Sequence, residues 1–259
     1  MSNKPIGIFD SGVGGTSIFK EVHTLLPNEN CIYLADSKNA PYGNKSEAEI
    51  LDLSVKNTEL LINNACKLVI VACNTATTNA IAFLRSQYNI PFIGIEPAIK
   101  PAALSTKTKA IGILATKGTF SSHLFHKTSD IYATGIKVIE QVGDGIVPLI
   151  EAGKLESNEM INLLHKYLDP MLQENIDYLV LGCTHYPYLI PQLKNLLPDN
   201  VKIIDSGSAV AKQTQSILSK NNLLNNVEQK PVLKFYSNGD ISVLKSILNF
   251  ECSVQYLDF

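Results

Sequence analysis

Arginine is nearly absent from this chain. Of 22 lysine and arginine residues, only Arg85 is arginine. A site that grips anions through several bidentate guanidinium forks is therefore excluded. There is no tryptophan, and the formal net charge is −2, so nothing in the charge balance points to nucleic acid. The five cysteines (31, 66, 73, 183 and 252) are odd in number and include no C-x-x-C spacing. That argues against a disulfide framework and against a zinc ribbon, and metal ligation is not expected. No apolar run approaches the ~18 residues needed to span a membrane. MSNKPIGIFD has no signal-like stretch and enters strand-like sequence at once, so a cytosolic protein with reduced thiols is expected. What remains is ample for folding. With 259 residues and 45% hydrophobic content, the chain suits one large α/β domain or two ordinary ones.

Short β-branched runs predict strands at 5–9, 31–35, 68–72, 91–95, 110–115, 136–140, 178–182, 201–205 and 232–236. Their continuous apolar character suits parallel sheets covered on both faces. Helix-like spacing falls at 14–26, 46–65, 75–88, 156–174, 187–196 and 207–221, with Ser46 and Glu49 spaced as a capping box.

A repeat runs through this pattern. IGIFDS at 6–11 resembles IGILAT at 111–116, and VIVACNT at 69–75 resembles LVLGCTH at 179–185. CIYLAD at 31–36 sits more loosely opposite KVIEQV at 137–142, and FIGIEPA at 92–98 opposite KIIDSGS at 202–208. Four matches in order, at offsets of about 105 to 110 residues, imply duplication. The expected fold is two pseudo-symmetric α/β domains with mainly parallel sheets. Residues 1–96 plus 207–259 form one and 97–206 the other, with a ligand crevice between them at the strand carboxyl ends.

Cys73 and Cys183 stand at equivalent strand ends, one per half. Each precedes a helix-like segment, whose positive dipole end favours thiolate. FDSGVGG is a weak phosphate-loop signal, because it lacks the G-K-[ST] element and begins with an acid. Asp10 suits an ammonium or a helix N-cap. Pro41, Tyr42 and Gly43, then Thr116 and Thr119, Glu151 and His185, lie in loops near the same strand ends. Three chemistries use two facing thiols: a disulfide, a single cysteine nucleophile, or two-base proton transfer. The last gives each duplicated half a role.

The motifs IGIFDSGVGG, YLADSKNAPYG, VIVACNTAT, PFIGIEPA, GIVPLIEAG, LVLGCTHYP and IIDSG resemble those of bacterial glutamate racemases, of the aspartate/glutamate racemase superfamily. The likeness covers nearly the whole chain. It implies a cofactor-independent isomerase, without pyridoxal phosphate or metal, that supplies D-glutamate for peptidoglycan, commonly as a homodimer. By that resemblance Cys73 and Cys183 are the catalytic thiols, acting on the D- and L-enantiomers respectively. Asp10, Glu151 and His185 assist them. Asp10, Ser11, Pro41, Tyr42, Gly43, Asn74, Thr75, Thr184 and His185 contact substrate, with Thr116 and Thr119 as further candidates. The residues leave two alternatives open: a binding protein that kept the crevice, and a racemase of aspartate or of broader range.

Overall fold

A computed structural model describes residues 3–227, 230–248, 250 and 252–259. The described strands are β1 (Ile6–Asp10), β2 (Cys31–Ala35), β3 (Leu68–Val71), β4 (Phe92–Gly94), β5 (Ala110–Ala115), β6 (Lys137–Val142), β7 (Tyr178–Gly182), β8 (Lys202–Ile204), β9 (Leu233–Ser237) and β10 (Ser253–Tyr256). They form two wholly parallel sheets, ordered β10-β9-β2-β1-β3-β4 and β6-β5-β7-β8. The mixed α/β architecture with parallel sheets is the one expected.

The duplication is visible in the strand order. The core β2-β1-β3-β4 of the first sheet has its counterpart in β6-β5-β7-β8. Register follows in part. Ile6 pairs with Leu68, as Ile111 pairs with Tyr178, whereas Val69 pairs with Phe92 but Leu179 with Ile203, one residue beyond the equivalent Lys202. The β2 and β6 pairings differ by one residue, Ile6 with Cys31 against Ile111 with Val138, where the sequence match was loosest.

Central strands β1, β2, β3 and β5 are buried at every position, which is why they read as continuous apolar runs. The edge strands β6 and β10 are not, and β10 escaped the sequence pattern. Helices α1 (Thr16–Leu25), α2 (Glu47–Asn63) and α3 (Asn74–Gln87) cover the first sheet, and α2 opens with the expected Ser46–Glu49 capping box. Four short helices were not expected: α4 (Ile99–Ser105), α5 (Lys117–Phe120), α6 (His123–Tyr132) and α7 (Ile146–Glu151). They are followed by α8 (Asn158–Gln173), α9 (Ile190–Leu196), α10 (Gly207–Lys220) and α11 (Ile241–Leu248), the last also unanticipated. Pro101 and Pro148 lie within α4 and α7, and their missing N–H groups blur the helical signal.

The chain passes between the sheets twice, after β4 and after β8. The two passages are tied where the Ser206 hydroxyl donates to the Glu96 carbonyl. After the second, α10 packs on α1, and β9 adds to the first sheet beside β2. One apolar cluster runs from Ile6, Ile8 and Ile70 of the first sheet to Leu114, Leu179 and Leu181 of the second. The strand carboxyl ends of both sheets thus meet across a shared crevice.

Among the described residues no helix is long and apolar enough to cross a membrane.

Candidate active site

Cys73 and Cys183 line one narrow, nearly closed cavity of about 10 Å³. Each is carried there by its strand, Cys73 two residues past β3 and Cys183 immediately past β7. Ser11, Pro41, Tyr42, Gly43, Asn74 and Thr75 complete the wall from the first half. Thr116, Thr184 and His185 complete it from the second, joined by Val147, which sequence reasoning missed. Val147 lies in the GIVPLIEAG motif but is an unremarkable apolar residue of α7.

Asp10, Glu151 and Thr119 stand one layer back. Asp10 is fully buried. Its Oδ2 accepts from the Gly15 and Gly12 N–H groups at 2.9 and 3.3 Å, and its Oδ1 accepts from the Thr184 hydroxyl at 3.2 Å. The carboxylate therefore organises the loop between β1 and α1, as a cap would, and bonds to the opposite half. Thr119 is buried behind Thr116, at 3.0 Å between hydroxyls, and Thr116 meets Thr75 of the other half at 2.8 Å.

The two thiols have different surroundings. Cys73 caps α3, its sulfur accepting from the Ala76 N–H at 3.4 Å and lying 3.7 Å from Ser11 Oγ. The helix terminus was expected to favour thiolate. Burial and the Asp10 carboxylate outweigh it and push the Cys73 thiol up, against the pull of the Ala76 N–H and Ser11. Burial also raises Asp10 itself, from 3.8 to about 6, opposed by His185 and the Gly15 N–H.

Cys183 is followed not by a long helix but by a short 3₁₀ turn, Tyr186–Leu189. Its sulfur lies 3.7 Å from His185 Nδ1, and His185 Nε2 lies 2.5 Å from Glu151 Oε1. Burial opposes charge on the ring. Hydrogen bonds to Cys183 and Glu151 overcome that and hold His185 well above its ordinary range. A protonated imidazole donates in both directions, so Cys183, His185 and Glu151 form a relay. Glu151 is fixed in turn by the Val13 N–H at 2.6 Å and the Ser37 hydroxyl at 2.8 Å, both from the other half. Gly12 and Gly14 make that approach possible, because a Cβ on either would collide with Glu151 or His185.

Asn74 is 3% exposed, and its amide nitrogen and oxygen are both buried without a hydrogen-bond partner among the described residues. Orphaned polar atoms facing a cavity are costly unless a ligand meets them. Arg85 stays away from this chemistry, donating to the Phe92 carbonyl at 3.2 Å.

Two α/β halves, each presenting a thiol to one cavity, suit an isomerase of the amino-acid racemase class rather than a phosphate-binding enzyme. Residues 6–214 match the sequence profile of the family described as Asp/Glu/Hydantoin racemase. The chain belongs to that family. It is 45% identical over 249 residues to the glutamate racemase of Ectopseudomonas mendocina (strain ymp), covering 96% of this chain and 94% of that protein. Glutamate racemase from Escherichia coli, solved with L-glutamate and the activator UDP-MurNAc-ala, superposes with a TM-score of 0.86 at 31% identity, covering 98% of this chain and 97% of that one. The Francisella tularensis glutamate racemase, solved with D-glutamate, gives 0.85 at 31%, covering 99% and 98%.

Proposed function

We propose that this protein is a cofactor-independent glutamate racemase that interconverts L- and D-glutamate by two-base proton transfer at Cα, supplying D-glutamate for peptidoglycan. The carrying observation is that Cys73 and Cys183, from equivalent strand ends of two duplicated halves, line the same cavity. Glutamate racemases of similar sequence and fold, solved with either enantiomer, support the choice of substrate.

In one direction the Cys183 thiolate removes the Cα proton of L-glutamate, and the Cys73 thiol returns one to the opposite face. The reverse reaction exchanges the roles. A Cα–H is a far weaker acid than a thiol, so the site must support the carbanion. Asn74, Ser11, Thr75 and Thr184 donate to the substrate carboxylates, and negative charge developing at Cα spreads onto the adjacent one. Asp10 keeps the Cys73 thiolate basic, and the His185–Glu151 pair steadies Cys183. Sheet membership supports a division into 1–96 plus 207–259 and 97–206, and the family likeness supports a cytoplasmic homodimer.

Circular dichroism tests the reading: purified protein without added pyridoxal phosphate drives either enantiomer to zero ellipticity. In deuterated water the product carries deuterium at Cα. Persistent optical activity would refute the proposal.

A further inference from the structure

The motif YLADSKNAPYG lies beside the site, yet Asp36 within it has no part in the chemistry above. Neither has the SNGD stretch that follows β9 in the C-terminal segment. The structure joins them. Asp36 is 1% exposed, and no ion pair reaches it among the described residues. Neutral donors surround its carboxylate instead. The Tyr42 hydroxyl donates to Oδ2 at 2.5 Å, while Asn39 Nδ2 and Asn238 Nδ2 donate to Oδ1 at 2.7 and 2.5 Å.

Asn238 spends its whole amide on this junction. Besides Asp36, its Nδ2 donates to the Phe259 carbonyl at 3.1 Å, and its Oδ1 accepts the Lys38 N–H at 3.0 Å. The next residue, Gly239, lies against the loop so closely that a Cβ would come within 2.9 Å of Ser37 Cβ. The loop pinned in this way serves both walls of the cavity. Tyr42 lines it and belongs to the same apolar cluster as Cys73. Ser37 holds Glu151, which holds His185, which meets Cys183.

We propose that Asn238, acting through Asp36 and the 36–43 loop, is a positioning residue that keeps the supports of both thiols in register. The inference rests on the racemase reading for its kinetic consequence, but its geometric consequence is independent of activity. An Asn amide donates and accepts at once, whereas alanine releases the Lys38 N–H and removes one of the two donors to Asp36 Oδ1 together. Small displacements of a supporting shell carry large rate penalties.

Asn238→Ala is compared with wild type by two measurements. The first is kcat and KM per folded chain in both directions; kcat falls at least about tenfold, with KM changed less than about threefold. The second is iodoacetamide labelling of the substrate-free protein, read site by site by mass spectrometry. Labelling of Cys73 and Cys183 accelerates, while the buried Cys31 and Cys66 keep their wild-type rates. Gly239→Ala, which pushes on Ser37 without removing a polar group, gives the same selective pattern if Asn238→Ala folds poorly. Asp258→Ala removes only the exposed Lys38–Asp258 ion pair of the same contact and leaves kcat and labelling unchanged. Wild-type kcat per folded chain in Asn238→Ala, labelling that rises equally at all four cysteines, or an Asp258→Ala effect as large would overturn the proposal. Should wild type itself not racemise glutamate, the racemase reading fails, and selective labelling alone decides the role of Asn238.

Discussion

The two cysteine walls descend from one repeat but have become electrostatically unlike. Cys73 sits at the end of a 14-residue helix with a hydroxyl and a buried carboxylate for company. Cys183 sits before a 3₁₀ turn with an imidazole and a second carboxylate. On the two-base proposal, the difference means that mirror-image chemistry needs two bases on opposite faces, not two identical environments. Equal free energies of the enantiomers fix only the ratio of kcat/KM values. In the proposed mechanism each wall makes its thiol competent by its own means: Cys73 by a neighbouring negative charge that makes its thiolate more basic, Cys183 by a cationic relay.

Removing either thiol breaks the comparison outright. Cys73→Ser and Cys183→Ser should each lower racemisation by about a thousandfold or more, by circular dichroism with either enantiomer. Full activity in either would end the two-thiol mechanism. Disabling the relay should cost less and act on one side. Glu151→Gln or His185→Asn should reduce kcat roughly 10- to 100-fold. With Cα-deuterated substrates, the isotope effect should grow most for L-glutamate, whose proton the proposed mechanism assigns to Cys183.

Asp10 sharpens the contrast through pH. Its carboxyl titrates near 6, so it is ionised above that pH and protonated below it. Protonation withdraws the charge that keeps the Cys73 thiolate basic. Activity should therefore fall as pH drops through about 6. Asp10→Asn should lose that acid limb and about tenfold in kcat. The stability effect has the opposite sense. A carboxyl whose pKa is raised on folding stabilises below its unfolded value of 3.8, and that contribution is lost as pH rises through about 6. For a fully buried group this amounts to roughly 3 kcal/mol, seen as a shallower fall in Tm for Asp10→Asn between pH 4 and 6. The smallest effect belongs to Arg85. Arg85→Lys should change KM for either enantiomer less than about twofold, because its guanidinium serves the Phe92 carbonyl.

Much of this molecule was legible along the chain. Nine of the strands were marked by apolar runs, most clearly the central ones such as IGIFD and LVIV, because a strand buried on both faces has no polar alternate positions. The thiols were legible because duplication set them against each other at an offset of 110 residues. The short helices α5 and α7 were not, being four and six residues long with too few turns to show a period. Nor was β10, an exposed edge strand. At the site, Val147, Ser37 and Asp36 were missed for another reason: their roles depend on partners 100 residues away or more, or across a turn, and no local pattern encodes those.

Sequence by itself determined two parallel α/β halves, a thiol at each equivalent strand end, and a site built without guanidinium forks. Those are properties of local hydrophobic patterning and of a repeat, both written residue by residue. Tertiary structure alone decided which thiol keeps company with a carboxylate and which with an imidazole. It decided that Asp10 and Glu151 stand behind the cavity wall, and that a C-terminal asparagine steadies the loop beneath both thiols. Protonation and positioning depend on burial and on distances between chain segments, and these exist only once the two halves have closed on one another.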